Sequence, residues 1–267
     1  MTANYSGILI QGQLFPFEAT SHRLPAQVRQ QIVRWLMNPP PVRHAEPTLL
    51  FSLDDEPWKP SPRLFELAAQ LTAEAPKAVH PILSARPGGG PRWYETFPGE
   101  HYNVLTTLCR LLNPKTVWEF GTDTGMGTVA LLEGLPEGSR IFTVDIDPVF
   151  SKAGPWLAAE DFSSGRVVQI VSDMKSPEMF AQHKETLADA ELLFVDGPKD
   201  DQTEAVFLDR LAQVAFRNPP IIVFDDIRVM NMLSVWRGIQ RPKMDLTSLG
   251  HWTGTGLVDW AGSRPTT

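Results

Sequence analysis

The sequence predicts an α/β protein built on a doubly wound, mostly parallel sheet. Apolar strand-like runs alternate with helical segments from about residue 115 onward, as in a parallel sheet wound by crossover helices. Runs such as L-L-F-V and I-I-V-F are apolar throughout, which is typical of strands covered on both faces. Two late strand-like pieces, K-M-D-L-T-S-L and T-G-L-V-D-W, predict a C-terminal antiparallel hairpin that brings the sheet to seven strands.

The alternation predicts the position of each element. Strands are expected at residues 116–120, 140–145, 167–171, 191–195 and 220–224. Helices are expected at residues 126–134, 177–187, 201–215 and 229–238, after a first helix from about Glu100 to Leu112. Short connections of this kind favour a single sheet with helices on both faces.

The first 94 residues predict a separate N-terminal cap, partly helical and partly irregular. The run I-L-I-Q-G-Q-L-F suits a short strand or hairpin arm, and helical apolar spacing begins at Pro25 and again near Leu64. The proline-rich residues 39–62 predict an irregular connection. The G-G-G run near residue 90 predicts the boundary with a second domain at residues 95–267.

Composition excludes several classes of protein. The net charge is −7 and no Lys/Arg-rich block occurs, so a nucleic-acid surface, which needs clustered cations, is not expected. No uncharged apolar run reaches membrane-spanning length. The single cysteine, Cys109, has leucines at helical spacing and is expected in a core, which suits a reducing, cytoplasmic setting. The sequence leaves a homo-oligomer open.

A glycine-rich loop follows the first predicted strand and has two interpretations. The run V-W-E-F-G-T-D-T-G-M-G-T contains Gly125 and Gly127, and with Ala130 these give G-x-G-x-x-A, followed by Asp145 after 20 residues. This is the fingerprint of a dinucleotide site, and it predicts an NAD(P)-dependent oxidoreductase. Against it, the strand ends near Phe120, so Gly125 comes several residues late for the glycine that should turn directly off the strand.

The second interpretation uses Glu119, Gly121, Gly125 and Gly127 together as E-x-G-x-x-x-G-x-G. This pattern resembles motif I of class I S-adenosylmethionine-dependent methyltransferases, and the resemblance implies a Rossmann-like fold. It also implies that Asp145 binds the ribose hydroxyls at the end of the second strand. The full set of cofactor-binding positions that it implies is Glu119, Gly121, Thr122, Gly125, Gly127, Asp145, Ile146, Asp173, Met174 and Asp196.

Carboxylates follow two later strands, in L-L-F-V-D-G-P-K and I-I-V-F-D-D. Asp196, Asp225 and Asp226 are therefore expected at the carboxyl ends of neighbouring parallel strands, where open α/β sheets bind ligands. Three such groups repel one another unless a cation or protons intervene. Hard oxygen ligands suit Mg²⁺, so the sequence predicts a magnesium site.

These two segments resemble the metal-dependent small-molecule O-methyltransferases of the catechol and macrocin types, over roughly residues 95–260. The resemblance implies that Asp196, Asp225 and Asp226 bind Mg²⁺, with Asp226 in place of an asparagine. It also implies that Lys199 acts as the base, for which its pKa must be lowered toward neutrality. His251, between the two terminal strands, is an alternative base. The implied reaction is methyl transfer to a hydroxyl group of a small molecule such as a natural product, a sugar or a phenol.

Three alternatives stay open at this point. One is the NAD(P)-dependent oxidoreductase that the run Gly125-Met126-Gly127-Thr128-Val129-Ala130 suggests. Another is a methyltransferase that needs no metal, in which Lys199 or His251 alone carries the base role. The third is a methyltransferase-like fold that serves as a binding partner without catalysis.

Overall fold

The computed structural model describes residues 58–86, 94, 99–229 and 232–261, together with the backbone of two short strands near the N-terminus. Those strands, β1 (Gly7–Ile10) and β2 (Gln13–Pro16), pair antiparallel as a hairpin. The arrangement agrees with the hairpin arm expected for I-L-I-Q-G-Q-L-F. The helix expected from Pro25 and the G-G-G run lie outside the described residues.

Seven further strands form one sheet in the order β5-β4-β3-β6-β7-β9-β8. Their bounds are β3 (Thr116–Phe120), β4 (Arg140–Asp145), β5 (Val167–Val171), β6 (Leu192–Val195), β7 (Ile221–Asp225), β8 (Lys243–Asp245) and β9 (Thr255–Asp259). Strands β3 to β7 pair in parallel, and β9 runs antiparallel to both of its neighbours. The predicted doubly wound sheet with an antiparallel C-terminal pair is confirmed, and the predicted parallel strands agree with the observed ones to within a residue at each end.

The strand order places the functional loops. Strand β3 lies between β4 and β6, so successive crossovers leave it in opposite directions, and the crevice at the carboxyl ends of these strands is where such sheets bind ligands. Strands β6 and β7 are buried along their whole length. Their apolar side chains fix them between helical layers, so the residues that follow them have little freedom of position.

Nine helices cover the sheet within the described part of the chain. They are α1 (Pro62–Glu74), α2 (Pro81–Ala85), α3 (His101–Leu112), α4 (Met126–Gly134), α5 (Ala159–Ser163), α6 (Pro177–Gln182), α7 (Lys184–Ala188), α8 (Gln202–Leu211) and α9 (Met232–Gly238). The helix predicted at 177–187 is divided at His183, which ends α6 and begins α7. Helix α8 ends at Leu211, before the predicted residue 215, and α3 ends at Asn113 in the left-handed conformation that commonly stops a helix.

Residues 58–86 pack on the sheet domain. The apolar stripe of α1, which includes Leu64 and Leu71, belongs to the same hydrophobic core as α3 and α4. The Ser61 hydroxyl accepts from the Leu64 N–H as the N-cap of α1 and donates to Asp259 in β9 over 2.6 Å. The division at residue 94 stays a prediction. Within the described ranges, no helix has both the length and the apolar character that crossing a membrane requires.

Candidate active site

A cavity of about 410 Å³ opens at the carboxyl ends of the parallel strands. This volume is within the range of small-molecule and cofactor pockets. Six of the ten cofactor-binding residues expected from the sequence line it: Gly121, Asp145, Ile146, Asp173, Met174 and Asp196. The other four, Glu119, Thr122, Gly125 and Gly127, lie outside its wall.

Gly121 is the residue at which the chain turns off β3. Its φ is +108°, a backbone conformation that favours glycine. A Cβ at this position would lie 2.0 Å from the carbonyl oxygen of Asp196. The Asp196 N–H in turn donates to the Phe120 carbonyl over 2.8 Å. The first glycine of the loop therefore allows the ends of β3 and β6 to approach each other closely.

Gly125 and Gly127 are required by packing. Gly125 precedes α4 with a φ of +86°, and a Cβ there would lie 2.6 Å from Leu157 Cγ. A Cβ at Gly127 would lie 2.8 Å from Glu119 Oε1. Because Gly121, and not Gly125, turns the chain off the strand, the geometry departs from the dinucleotide fingerprint. Contact of these two glycines with a cofactor stays a prediction.

Glu119 lies in β3 with its carboxyl group fully buried. Its Oε2 accepts hydrogen bonds from the hydroxyls of Thr128 (2.5 Å) and Thr143 (2.6 Å), and Thr122 and Thr143 share a further hydroxyl pair at 2.6 Å. Burial raises the pKa of Glu119 to about 8, although the two threonine hydroxyls partly oppose the shift. Glu119 and Thr122 therefore join β3, β4 and α4 beneath the loop. Their expected contact with a cofactor stays a prediction.

Asp145 ends β4 at the wall of the cavity. Each of its oxygens accepts one backbone N–H, from Asp123 over 2.8 Å and from Asp147 over 3.0 Å. These bonds fix the carboxylate while leaving a lone pair on each oxygen. Ile146 beside it is 68% exposed, which is unusual for so large an apolar side chain. The pair thus offers a fixed acceptor and an apolar surface side by side.

Asp173 and Met174 follow β5 on the same side of the cavity. The Asp173 carboxylate accepts from the Lys175 N–H over 2.9 Å and lies 3.2 Å from the Lys175 ammonium group. Met174 is almost fully buried, and its sulfur packs against the position of Gly197 after β6. The loops after β5 and β6 are therefore in contact at the cavity wall.

Asp196, Asp225 and Asp226 are brought together, as the sequence predicts. One carboxylate oxygen from each lies within 4.8 Å of the other two. The Lys199 ammonium group lies among them, at 2.5 Å from Asp196 Oδ1, 3.6 Å from Asp226 Oδ2 and 3.9 Å from Asp225 Oδ2. Lys199 and Asp226 both have a positive φ, of 64° and 58°, and strained backbones of this kind concentrate at functional sites.

The pKa of Lys199 differs from the value expected for a base. Burial by itself lowers the pKa of Lys199, but the adjacent carboxylates of Asp196, Asp225 and Asp226 outweigh it and hold the pKa above its ordinary value. A lowered pKa was expected for a base. Lys199 can therefore accept a proton only where the negative charge around it is offset.

His251 contacts Asp225 and not the cavity. Its Nε2 donates to Asp225 Oδ1 over 2.7 Å, and its Nδ1 is paired with the Thr253 hydroxyl. Burial by itself lowers the pKa of His251, but the carboxylates of Asp225, Asp226 and Asp196 together outweigh it and the pKa is raised. With both ring nitrogens engaged inside the protein, His251 is less suited to take a proton from a substrate than the sequence suggested. The role stays a prediction.

Sequence reasoning missed two buried polar residues at the site. His101, at the start of α3, lies with its Nδ1 at 3.6 Å from Asp225 Oδ1, and burial lowers its pKa to about 3. Glu204 in α8 is fully buried, and its Oε1 accepts from the Lys199 N–H over 2.8 Å. Glu204 therefore helps to hold the loop that carries Lys199.

Comparison with known families settles the class of the domain. Residues 118–227 match the model of a family described as "Methyltransferase domain". Over these residues the chain matches a methyltransferase domain. Its strand order and loop pattern confirm the resemblance to the class I S-adenosylmethionine-dependent methyltransferases that motif I predicts. The matched segment contains the glycine-rich loop and the acidic cluster, and it ends just after Asp226.

A curated relative of the methyltransferase domain, from Mycobacterium sp. (strain JLS), carries the name "Putative O-methyltransferase". It is 27% identical over 111 residues, which cover 39% of this chain and 46% of the relative. The chain thus spans about half the length of the curated relative that it matches.

Solved structures similar to the methyltransferase domain include two that hold a cofactor. The O-methyltransferase TomG of Streptomyces achromogenes, described as involved in tomaymycin synthesis and in complex with SAM, is 20% identical, with a TM-score of 0.43 over 60% of this chain and 78% of that one. Cofactor-bound Rv0187 from MTB is 18% identical, with a TM-score of 0.47 over 77% of this chain and 100% of that one. Likeness at this level does not identify what the present chain binds.

Proposed function

We propose that the chain is an S-adenosylmethionine-dependent O-methyltransferase that transfers a methyl group to a hydroxyl of a small molecule, with Mg²⁺ as the metal. The observation that carries the proposal is the adjacency of two features at the same edge of the sheet. Asp196 both lines the cavity of about 410 Å³ and belongs to the cluster with Asp225 and Asp226. A cofactor in the cavity would lie beside a group that can activate a hydroxyl.

Asp145 is the proposed ribose-binding group. Its two oxygens are already held by backbone N–H donors, so a diol can bind them without any further ordering of the side chain. The exposed apolar surface of Ile146, next to it in the wall, suits the adenine ring.

The donor set of the acidic cluster fits Mg²⁺. All three groups offer carboxylate oxygens, these lie within 4.8 Å of one another, and such hard ligands are the ones that Mg²⁺ prefers. Asp196, Asp225 and Asp226 would hold the ion. A bound Mg²⁺ supplies Lewis acidity that lowers the pKa of a hydroxyl.

Lys199 is the proposed base, and Glu204 is the group that positions it. The ammonium group lies 2.5 Å from Asp196, next to the cavity, so it can move a proton between the acceptor hydroxyl and solvent. The carboxylates that now hold its pKa up must be compensated before it can accept that proton. The hydrogen bond from the Lys199 N–H to buried Glu204 keeps the loop in place.

Binding calorimetry tests the cofactor. The wild type is expected to bind S-adenosylmethionine and not NAD(H). Asp145→Asn should weaken that binding by roughly 10- to 100-fold, because a hydrogen bond to a charged group contributes about 1.5–3 kcal/mol. The matched control is Asp189→Asn, an exposed aspartate before β6 at the opposite edge of the sheet, which pairs with Arg217. Binding of NAD(H) alone, or equal affinity in both variants, would contradict the proposed cofactor site.

Methyl transfer to a panel of phenolic, sugar and polyketide hydroxyls tests the metal. Activity should disappear in EDTA and return with added Mg²⁺. Asp226→Gly, which removes the ligand oxygens and suits the φ of 58° at this position, should raise the Mg²⁺ concentration needed for half-maximal rate. Activity that EDTA leaves unchanged would instead favour a metal-independent enzyme, in which the Lys199 ammonium group alone balances the three carboxylates.

A further inference from the structure

A second group of metal-ligand type lies on the other side of Asp225. His101 at the start of α3, Asp225 at the end of β7 and His251 in the loop before β9 place one ligand atom each within 4.8 Å of the other two. All three side chains are buried, and the two imidazole ring centres are 4.5 Å apart. Three distant segments of the chain thus bring two imidazoles to a single carboxylate.

Only one of the two imidazoles is hydrogen-bonded to Asp225. The His251 Nε2 lies 2.7 Å from Asp225 Oδ1, which is an ordinary hydrogen bond. The His101 Nδ1 lies 3.6 Å from the same oxygen, too far for one. Ligand atoms around a tetrahedral ion with bonds near 2.0–2.1 Å lie about 3.3 Å apart. The His101 contact is close to that separation, and the His251 contact would have to open by roughly 0.6 Å.

Each imidazole has a threonine hydroxyl as a neighbour, and the two hydroxyls are placed differently. The Thr253 hydroxyl pairs with His251 Nδ1, which leaves Nε2 pointing at Asp225. The Thr255 hydroxyl lies 3.2 Å from His101 Nδ1, the same ring nitrogen that faces Asp225, so a cation bound at Nδ1 would displace this hydrogen bond. Metal-binding histidines are commonly oriented by a hydrogen bond to the other ring nitrogen, and the His251–Thr253 pair has this form.

The two carboxylate oxygens of Asp225 face different neighbours, the imidazoles on one side and the acidic cluster on the other. Its Oδ1 faces the imidazoles, whereas its Oδ2 lies 3.9 Å from the Lys199 ammonium group on the side of the acidic cluster. A cation among Asp196, Asp225 and Asp226 meets oxygen atoms alone. A cation on the other side meets imidazole nitrogens, which favour Zn²⁺, Co²⁺ and related ions over Mg²⁺.

We propose that His101, Asp225 and His251 form a second cation site, which takes a divalent transition-metal ion such as Zn²⁺ or Co²⁺. This site goes beyond the proposed function, and it can be present or absent whether or not the acidic cluster binds Mg²⁺. Only Asp225 is common to the two ligand sets.

Co²⁺ is the probe, because its visible absorption reports the ligands around it. The full chain, stripped with EDTA and without cofactor, is titrated with Co²⁺. We expect one equivalent to bind with the intense visible bands of low-coordinate Co²⁺, and Zn²⁺ to remove these bands. His101→Gln and His251→Gln should each weaken Co²⁺ binding at least 10-fold. Two variants serve as controls and should retain it: His183→Gln, a histidine between α6 and α7, and Asp226→Gly, which removes a ligand of the oxygen set only.

The folded state of each variant is checked by its thermal unfolding midpoint and by calorimetry with S-adenosylmethionine, so that loss of Co²⁺ binding is not confused with loss of fold. The absence of a Co²⁺ spectrum in the wild type would overturn the site, as would a spectrum that both histidine variants preserve. The histidines would then serve to position Asp225 through hydrogen bonds. Loss of cofactor binding or of methyl transfer bears on the proposed function and leaves this result untouched.

Discussion

Glu119 makes the stability of the protein depend on pH. Its pKa is raised from 4.5 to about 8 because the carboxyl group is buried. Below pH 4.5 both the folded and the unfolded states carry the proton, so ionisation of Glu119 does not change the free energy of unfolding. As the pH rises from about 5 to about 8, the unfolded state ionises while the folded state keeps its proton, and stability falls by up to about 1.4 kcal/mol per pH unit.

Glu119→Gln should remove this dependence, because an amide does not ionise. We expect the free energy of unfolding, measured in urea at pH 5.5, 6.5 and 7.5, to fall more steeply with pH in the wild type than in the variant. The comparison uses slopes, so a constant loss from repacking beside Gly127 does not affect it. Parallel slopes would mean that Glu119 is ionised in the folded protein and that a partner compensates its charge.

The sequence predicted some of the site residues and missed others. The acids at strand ends, such as Asp196 and Asp225, could be found because the end of a parallel strand fixes a side chain in space. His101 and Glu204 were missed although a signal existed. His101 falls on the helical face of Leu105 and Leu108, and a polar residue on an apolar face is either paired or functional. The sequence could not predict the partner of His101, because its pairing with Asp225 depends on tertiary packing.

At the scale of elements, the turn after β3 controls how closely β3 and β6 approach. Gly121→Ala would combine an unfavourable φ of +108° with a Cβ 2.0 Å from the Asp196 carbonyl oxygen. We expect a loss of more than about 2 kcal/mol in the free energy of unfolding, and weaker binding of S-adenosylmethionine by calorimetry.

Gly138→Ala is the matched control for Gly121→Ala. Gly138 also has a positive φ, of +78°, but nothing lies within 4 Å of an added Cβ. It should lose only about 1–2 kcal/mol from the backbone conformation, with cofactor binding unchanged. Equal losses in the two variants would show that contact with Asp196 does not matter.

Element boundaries were predictable where the sequence contains its own stop signals. Helix α4 begins and ends where its apolar run does, between Gly125 and Leu135. The division of the predicted helix at His183 could not be foreseen. Nothing in the local run from 177 to 187 forbids a continuous helix, so the break reflects packing against β3, where His183 lies edge-on to Trp118.

For the whole molecule, the question is whether residues 58–86 unfold with the methyltransferase domain. Leu71 is fully buried in the core shared by α1, α3 and α4. Leu71→Ala should cost about 2–5 kcal/mol, and it should shift the entire unfolding curve as one transition. Circular dichroism and the fluorescence of buried Trp118, in β3, should report the same midpoint.

Gln70→Ala, on the exposed side of the same helix, is the control and should change stability by no more than about 0.5 kcal/mol. A Leu71→Ala variant in which α1 is lost but the Trp118 transition keeps its midpoint would support the boundary predicted near residue 94. That boundary was inferred from a glycine run. The sequence contained no comparable sign of the bond between Ser61 and Asp259, which joins positions almost 200 residues apart.

The position of β9 has a consequence for synthesis. Among the described strands it comes last along the chain, yet it lies inside the sheet between β7 and β8. Until residues 255–259 emerge, β7 is an edge strand, and an unpaired apolar edge is prone to join other chains. Every residue of the cavity wall, from Gly121 to Thr203, comes before β9 along the chain, whereas His251, the hydrogen-bond partner of Asp225, comes between β8 and β9. A nascent chain that stalls before residue 251 would therefore contain the whole cavity wall but not the imidazole partner of Asp225.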